Sequence, residues 1–206
     1  MKSIGQQKLN LPAHAPIMVL PEAHLFPNSL LPLYIFEPRY REMLSWSLQQ
    51  DRMFCIAPLK PGISEARTPD DFHHVVGLGL VRACVGREDG TSNLILQGLA
   101  RMRIVGFLQD APFRIAELRE LASQPAPPEE SEQLTARLLT VAETFLAGEA
   151  KLPAQLERQL EQIDDPSVLA DVIAHACVRD AEERQAIFEE LDVRTRVVRL
   201  LAYLRA

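Results

Sequence analysis

Leu25-Phe26-Pro27-Asn28-Ser29-Leu30-Leu31-Pro32-Leu33-Tyr34-Ile35-Phe36-Glu37-Pro38-Arg39-Tyr40 reads as a turn, a strand and the start of a helix. Pro27 fixes its own φ and pushes Phe26 toward extended backbone, so Phe26-Pro27-Asn28 breaks one extended run. Leu31 to Phe36 is short, apolar and rich in strand formers. Glu37-Pro38 then opens a helix, because proline is tolerated at the first helical position, where its missing N–H would be unpaired anyway. No side chain at the centre of this run is a catalytic type. It specifies a scaffold, and a scaffold without chemistry points to binding.

Outward from this stretch the front of the chain reads as β. Ile17 to Leu20 is a short apolar strand before it, and Met53 to Leu59 a continuous apolar strand after it, ended by Pro61-Gly62. Between them Pro38 to Gln50 is the one clear helix of this half, with Tyr40, Met43, Leu44, Ser47 and Leu48 at helical spacing. Gly62 to His74 is polar and reads as a surface loop. Val75 to Val85 is extended, and Gly77 and Gly79 inside it suggest a bulge or barrel bend. Glu88-Asp89-Gly90-Thr91 is a hairpin turn, since Asp-Gly supplies positive φ. Asn93 to Gln97 returns, Gly98 interrupts, and Ala100 to Leu108 continues. Asp110-Ala111-Pro112 turns again, and Phe113 to Leu121 is the last strand. About seven short strands with one inserted helix suggest a small closed or half-closed antiparallel barrel.

Past Ser123 to Glu130, a linker carrying Pro125, Pro127 and Pro128, the period becomes helical. Leu134, Leu138, Val141 and Phe145 share one face. Pro153 opens a second helix with Leu156, Leu160 and Ile163 on one stripe. Asp165-Pro166, Asp180 with Glu183, and Asp192 are three further helix starts. The division falls at 1–124 and 125–206, with the helical part packed on the barrel. The 206 residues are 47% hydrophobic, enough for a substantial core without disulfides. Charge is uneven: 13 basic against 12 acidic residues up to Gln124, then 9 against 16. The acidic tail half repels phosphate backbones. Met1 to His14 lacks the apolar block of a secretory signal, and no run approaches a membrane span. Cys55, Cys84 and Cys177 are odd in number and in apolar settings, as expected of buried thiols in a reducing cytoplasm.

Three stretches carry a family resemblance in the same order. They are Leu25-Phe26-Pro27-Asn28 with Leu31 to Tyr40; Gln97-Gly98-Leu99-Ala100-Arg101-Met102-Arg103-Ile104; and Asp165 to Asp171 followed by Glu183-Arg184-Gln185 and Leu191 to Arg196. Together they resemble the amino-terminal substrate-binding domain of Lon-type proteases, most closely its stand-alone members. The resemblance runs from about Pro16 to Leu204. It implies an α+β protein: a PUA-like antiparallel β pseudo-barrel with one inserted helix, then an all-helical C-terminal part of four to five helices. It also implies a binding role without the family's ATPase and protease modules.

The residues agree that chemistry is not the business of this chain. No Gly-Lys pair occurs, so a phosphate loop is excluded, and Gly77-Leu78-Gly79 is a bare fragment of a dinucleotide fingerprint. His73-His74 point opposite ways in an extended loop, and His175 and Cys177 cannot face one atom from a helix, so no metal and no cofactor are expected. Cys55 and Cys84 sit mid-strand among apolar neighbours, as core residues do. Arg39 beside Glu37 reads as a local ion pair ahead of a ligand contact, and Arg101 with Arg103 as a solvated sheet face. The expected function is non-enzymatic binding of unfolded or client polypeptide, or of a partner protein. Side-chain burial in an apolar groove would carry it, with strand addition at an open edge as a second means. Candidate contacts are Phe26, Leu33, Phe36, Arg39 and Tyr40. RNA binding, which a PUA-like barrel allows, is the alternative, weakened by the acidic balance and by the absence of interleaved aromatic and basic residues.

Overall fold

A computed structural model describes residues 10–149, 160 and 162–205. Six strands come first in the chain: β1 (His14–Leu20), β2 (Leu30–Ile35), β3 (Met53–Pro58), β4 (Val75–Gly86), β5 (Ser92–Gln109) and β6 (Arg114–Glu120). Helix α1 (Pro38–Gln49) lies between β2 and β3. Then follow α2 (Pro128–Glu149), α3 (Pro166–Cys177), α4 (Ala181–Glu189) and α5 (Val193–Tyr203). The helix expected to open at Pro153 falls mostly outside the described residues; Leu160 is described and buried.

The strand order is β2-β5-β4-β3-β1-β6, and β5 also pairs with β6. Five strands therefore close on themselves and β2 hangs outside, an irregular barrel. Where sequence suggested two strands broken at Gly98, the structure has one long bent strand. The first half of β5 pairs with β2 and its second half with β6, while β4 spans both. A bulge opposite Leu78/Gly79 supplies the bend. The pairings are antiparallel except β1 with β3. That exception follows from connectivity: parallel neighbours need a crossover, and β2 with α1 provides it.

Pro27 and Asn28 make the turn before β2. Asn28 has φ 64, the Ser29 N–H donates to the Phe26 carbonyl at 3.2 Å, and proline occupies the preceding corner, the pattern of a type II turn. This turn is pinned to β5, with Asn28 N–H donating to the Gly98 carbonyl and Gly98 N–H to the Ser29 carbonyl, both at 2.9 Å. Any Cβ on Gly98 would strike the Phe26 carbonyl oxygen, so only glycine lets the loop and strand meet.

Packing forms three apolar clusters: one inside the barrel, one under α1, and one among the helices. Phe26 and Val75 leave the sheet side to join the helical cluster, where Phe26 meets Phe188 edge-to-face at 5.1 Å. The three expected aspartate caps form: Asp165 accepts from Ser167 N–H, Asp180 from Glu183 N–H and Asp192 from Thr195 N–H, at 2.7, 2.8 and 2.7 Å.

Candidate functional site

The β2 strand decides what the front of the molecule shows to solvent. Gly98 N–H bonding to Ser29 carbonyl marks a hydrogen-bonded pair, so the alternation along the β2–β5 register places Leu31, Leu33 and Ile35 in the hydrogen-bonded positions. Leu30, Pro32 and Tyr34 then turn their backbone groups to the open edge. Proline is tolerated on an edge strand because no ladder bond is lost there, and it removes the central donor that an added strand would need. The side chains of the same three residues are exposed, and Phe36 continues the row at 58% exposure. Tyr34 and Phe36 stack with centroids 5.7 Å apart. Beside them Pro32, Leu33, Ala83, Val85 and Ile95 line a shallow groove of about 400 Å³ across β2, β5 and β4. An apolar face of this kind marks an interaction surface more often than chance exposure does.

The five residues singled out from sequence divide between core and surface. Phe26 is buried among the helices. Tyr40 is buried under the barrel; its hydroxyl donates to the Val19 carbonyl at 2.9 Å and accepts from the Val19 N–H at 3.2 Å. It thereby satisfies backbone that β6 pairing no longer reaches. Burial pushes the Tyr40 hydroxyl up. Leu33 is half-buried, packed on the α1 cluster yet lining the groove. Phe36 is on the surface. Arg39 pairs with Glu37 at 2.8 Å and lies 4.6 Å from the Tyr40 ring centre, the local role expected of it. Only Leu33 and Phe36 border the exposed face. Sequence could not separate the two sides of β2, because every residue of that strand is apolar or aromatic.

The expectation of a solvated Arg101 is overturned: Arg101 is 2% exposed. Its guanidinium clamps Asp171 of α3 through both carboxylate oxygens, and its Nε donates to the Phe188 carbonyl at 2.6 Å. Arg196 of α5, fully buried, shares Asp171 at 2.9 Å and donates to the Glu190 carbonyl and the Ser123 hydroxyl. The helices cover this strand position, so the arginine seen as a surface charge became half of a buried clamp. Arg103 alone remains exposed. Asp171 carried the available signal: a carboxylate on the apolar stripe of a helix calls for a cation.

A second concavity, about 730 Å³, lies between Leu59–Ile63 and α4. Its floor holds His24, buried, with Nε2 2.8 Å from Gln185 Oε1. Burial and then the nearby Arg184 charge lower the His24 pKa from 6.5 to about 4, opposed by Gln185 and the Glu22 backbone. Glu22, Glu182 and Glu189 stand around the rim with Lys60 and His73. Among the described residues no group of three or more His, Cys, Asp or Glu is placed to hold a metal ion, and no helix is long and apolar enough to cross a membrane. Cys55 is fully buried and its thiol is pushed up by that burial, far from a nucleophile's requirement.

The chain belongs to the family described as the ATP-dependent protease La (LON) substrate-binding domain, which matches residues 14–206. It is 27% identical over 188 residues to the Lon protease of Desulfosudis oleivorans, covering 91% of this chain and 23% of that protein. It is 26% identical over 198 residues to that of Dictyoglomus thermophilum, covering 96% and 25%. The chain thus spans about a quarter of the length of these curated relatives. Two solved structures share the fold. The N-terminal domain of the Mycobacterium avium complex Lon protease has TM-score 0.73 at 17% identity, covering 93% of this chain and 98% of that one. A Lon N-terminal domain protein from Xanthomonas campestris has TM-score 0.67 at 19% identity, covering 92% and 98%.

Proposed function

We propose that this chain is a non-catalytic module that holds exposed apolar segments of unfolded or partner polypeptides. The observation that carries the reading is the row Leu30, Pro32, Tyr34 and Phe36, solvent-facing on an edge strand beside an apolar groove. Folding leaves these side chains uncovered, and their burial against a client supplies the driving force. With Pro32 denying the central edge donor, recognition runs through side chains rather than strand addition. Family membership supports the same role, and the cytoplasm, where unfolded clients arise, suits it. In this reading residues 1–124 form the gripping part and 125–206 the brace that holds its shape.

The test is titration of a reduced, carboxymethylated model protein against the chain, followed by fluorescence anisotropy. Saturable binding is expected, and Tyr34→Ser with Phe36→Ser should weaken it by about ten-fold or more, since aromatic anchors dominate such contacts at roughly 2 kcal/mol each. No saturation at high micromolar chain, or full binding by the double variant, overturns the proposal.

A further inference from the structure

Pro32 guards one edge of the β2-β5-β4 ladder, and the opposite edge carries no proline. Beyond Leu80, β4 loses its neighbour on that side. Its pairing with β3 runs from Gly77 to Leu80, and the Arg52 carbonyl then accepts from the Val81 N–H at 2.9 Å. From Arg82 to Gly86 the ladder continues with β5 alone among the described residues. Arg82, Ala83, Val85 and Gly86 are exposed, and Cys84 is half-buried.

The direction of each backbone group follows from the hairpin. The Arg87 N–H donates to the Thr91 carbonyl at 2.8 Å, which makes these two a hydrogen-bonded pair. Alternation then makes Val85 with Asn93, and Ala83 with Ile95, the next such pairs. Asn93 and Ile95 are the β5 residues that do not bond to β2, so the two ladders agree. Cys84 and Gly86 therefore aim N–H and C=O away from β5, into the open edge. Among the described residues no backbone group answers them. Donors and acceptors at strand spacing are matched by one kind of ligand, a second extended backbone. The surroundings fit the same occupant. Ala83 and Val85, the latter 66% exposed, carry the apolar groove of Pro32, Leu33 and Ile95 out to this edge.

We propose that the Arg82–Gly86 edge of β4 receives an extended segment of client polypeptide as an added strand, paired through the backbones of Cys84 and Gly86. The inference rests on the polypeptide-binding reading and adds to it: the row on β2 holds side chains, and β4 holds main chain. It names the form of the segment. The segment is extended, lacks proline at its paired positions and is apolar at alternate residues, those that fall level with Ala83 and Val85.

The experiment uses the full chain and three fluorescein-labelled peptides of alternating valine and threonine. One is unmodified, one is N-methylated on its odd amides and one on its even amides. An added strand shows one edge to β4 and the other to water. One methylated peptide should therefore bind like the unmodified one, and the other should bind about ten-fold or more weakly, having lost several backbone hydrogen bonds. Gly86→Pro removes a donor from the protein's edge. A Cβ at Gly86 meets nothing within 4 Å but the Ser92 hydroxyl, at 3.9 Å. This variant, its fold checked by circular dichroism, should weaken the unmodified peptide by about five-fold or more. The methylated pair needs no variant, so a misfolded Gly86→Pro leaves the test intact. Tyr34→Ser with Phe36→Ser should leave the difference between the methylated peptides in place. Equal affinity for those two peptides, or full binding by a folded Gly86→Pro, overturns the added strand; carboxymethylated protein still held through Tyr34 and Phe36 then leaves the β2 reading standing. No saturable binding of either probe overturns both. A dimer in sedimentation velocity that Gly86→Pro abolishes, with peptide binding unchanged, assigns the edge to a second copy and also overturns the proposal.

Discussion

The junction between sheet and helices and the outer face of β2 invert the ordinary partition of residue types in opposite senses. At the junction two arginines and an aspartate are buried, each hydrogen-bonded on nearly every side. On β2 and at Phe36 just after it, four apolar or aromatic side chains stand in water with no covering element among the described residues. Buried ions persist only where the geometry satisfies them, and replacing such a set by apolar groups is often neutral. The prediction is that its service is positional, fixing where α3 and α5 sit on β5. In the proposed reading the exposed row adds little to the isolated chain and gains free energy when something covers it. In that reading one region uses polarity for shape and the other leaves apolar surface for association.

The widest break in that comparison is Asp171→Ala. It leaves two buried guanidinium groups facing each other, and burial already lowers the Arg196 pKa. Urea unfolding should show a loss of about 3–5 kcal/mol, the usual result of removing one partner from a buried ionic set. A loss below about 1 kcal/mol would mean that apolar packing alone seats the helices. The companion change of Arg101, Asp171 and Arg196 together to Met, Leu and Met should recover much of the loss if the triad is positional.

His24 tests the same junction through acid. Its pKa lies near 4 in the folded chain and at 6.5 in the unfolded one. Between these values the unfolded state holds more protons, so stability falls as pH drops from 6.5 to 4 and is intact above that window. The full effect is about 3 kcal/mol from one buried imidazole. His24→Gln should flatten this part of the stability–pH curve, measured by denaturant midpoints at successive pH values. An unchanged slope would place the acid sensitivity in other groups.

Gly98→Ala comes next. The added methyl meets backbone, the Phe26 carbonyl, which cannot rotate away as a side chain could. A loss of about 1–3 kcal/mol is expected from such overpacking, read as a lowered Tm. Because the displaced loop leads straight into β2, client binding should weaken along with stability.

Gly98 also shows where the sequence was legible and where it was not. Its type announced an irregularity in the strand, and one is there. What a single sequence could not reveal is that the Phe26–Ser29 turn crosses at that point, which is a long-range fact. The helix starts at Asp165, Asp180 and Asp192 were legible because a cap is a contact between residues two or three apart. The alternation of β2 was illegible for the opposite reason: Leu, Leu, Pro, Leu, Tyr and Ile offer no polar residue to mark the wet side. Phe26 and Phe36 look alike in sequence, yet one seals the helical cluster and the other faces solvent. The Arg101 clamp was hidden because its partners lie 70 or more positions along the chain.

The smallest expected effect is the most telling about the two regions. Tyr34→Ser with Phe36→Ser removes aromatic surface of which the folded chain leaves 49% and 58% exposed, losing the stacking of the two rings and the Arg87 guanidinium 5.6 Å from the Tyr34 ring centre. Unfolding free energy should move by no more than about 0.5 kcal/mol, as for surface substitutions away from special features. The same variant is expected to lose most client binding, so stability and association separate cleanly at β2 while they fall together at Gly98. If the double variant instead unfolds easily, the row is holding β2 onto β5, and its exposure is a cost of folding rather than a surface kept open for a partner. If it remains stable and monomeric at concentrations where the parent chain self-associates in sedimentation velocity, then part of what the row covers in solution is a second copy of itself.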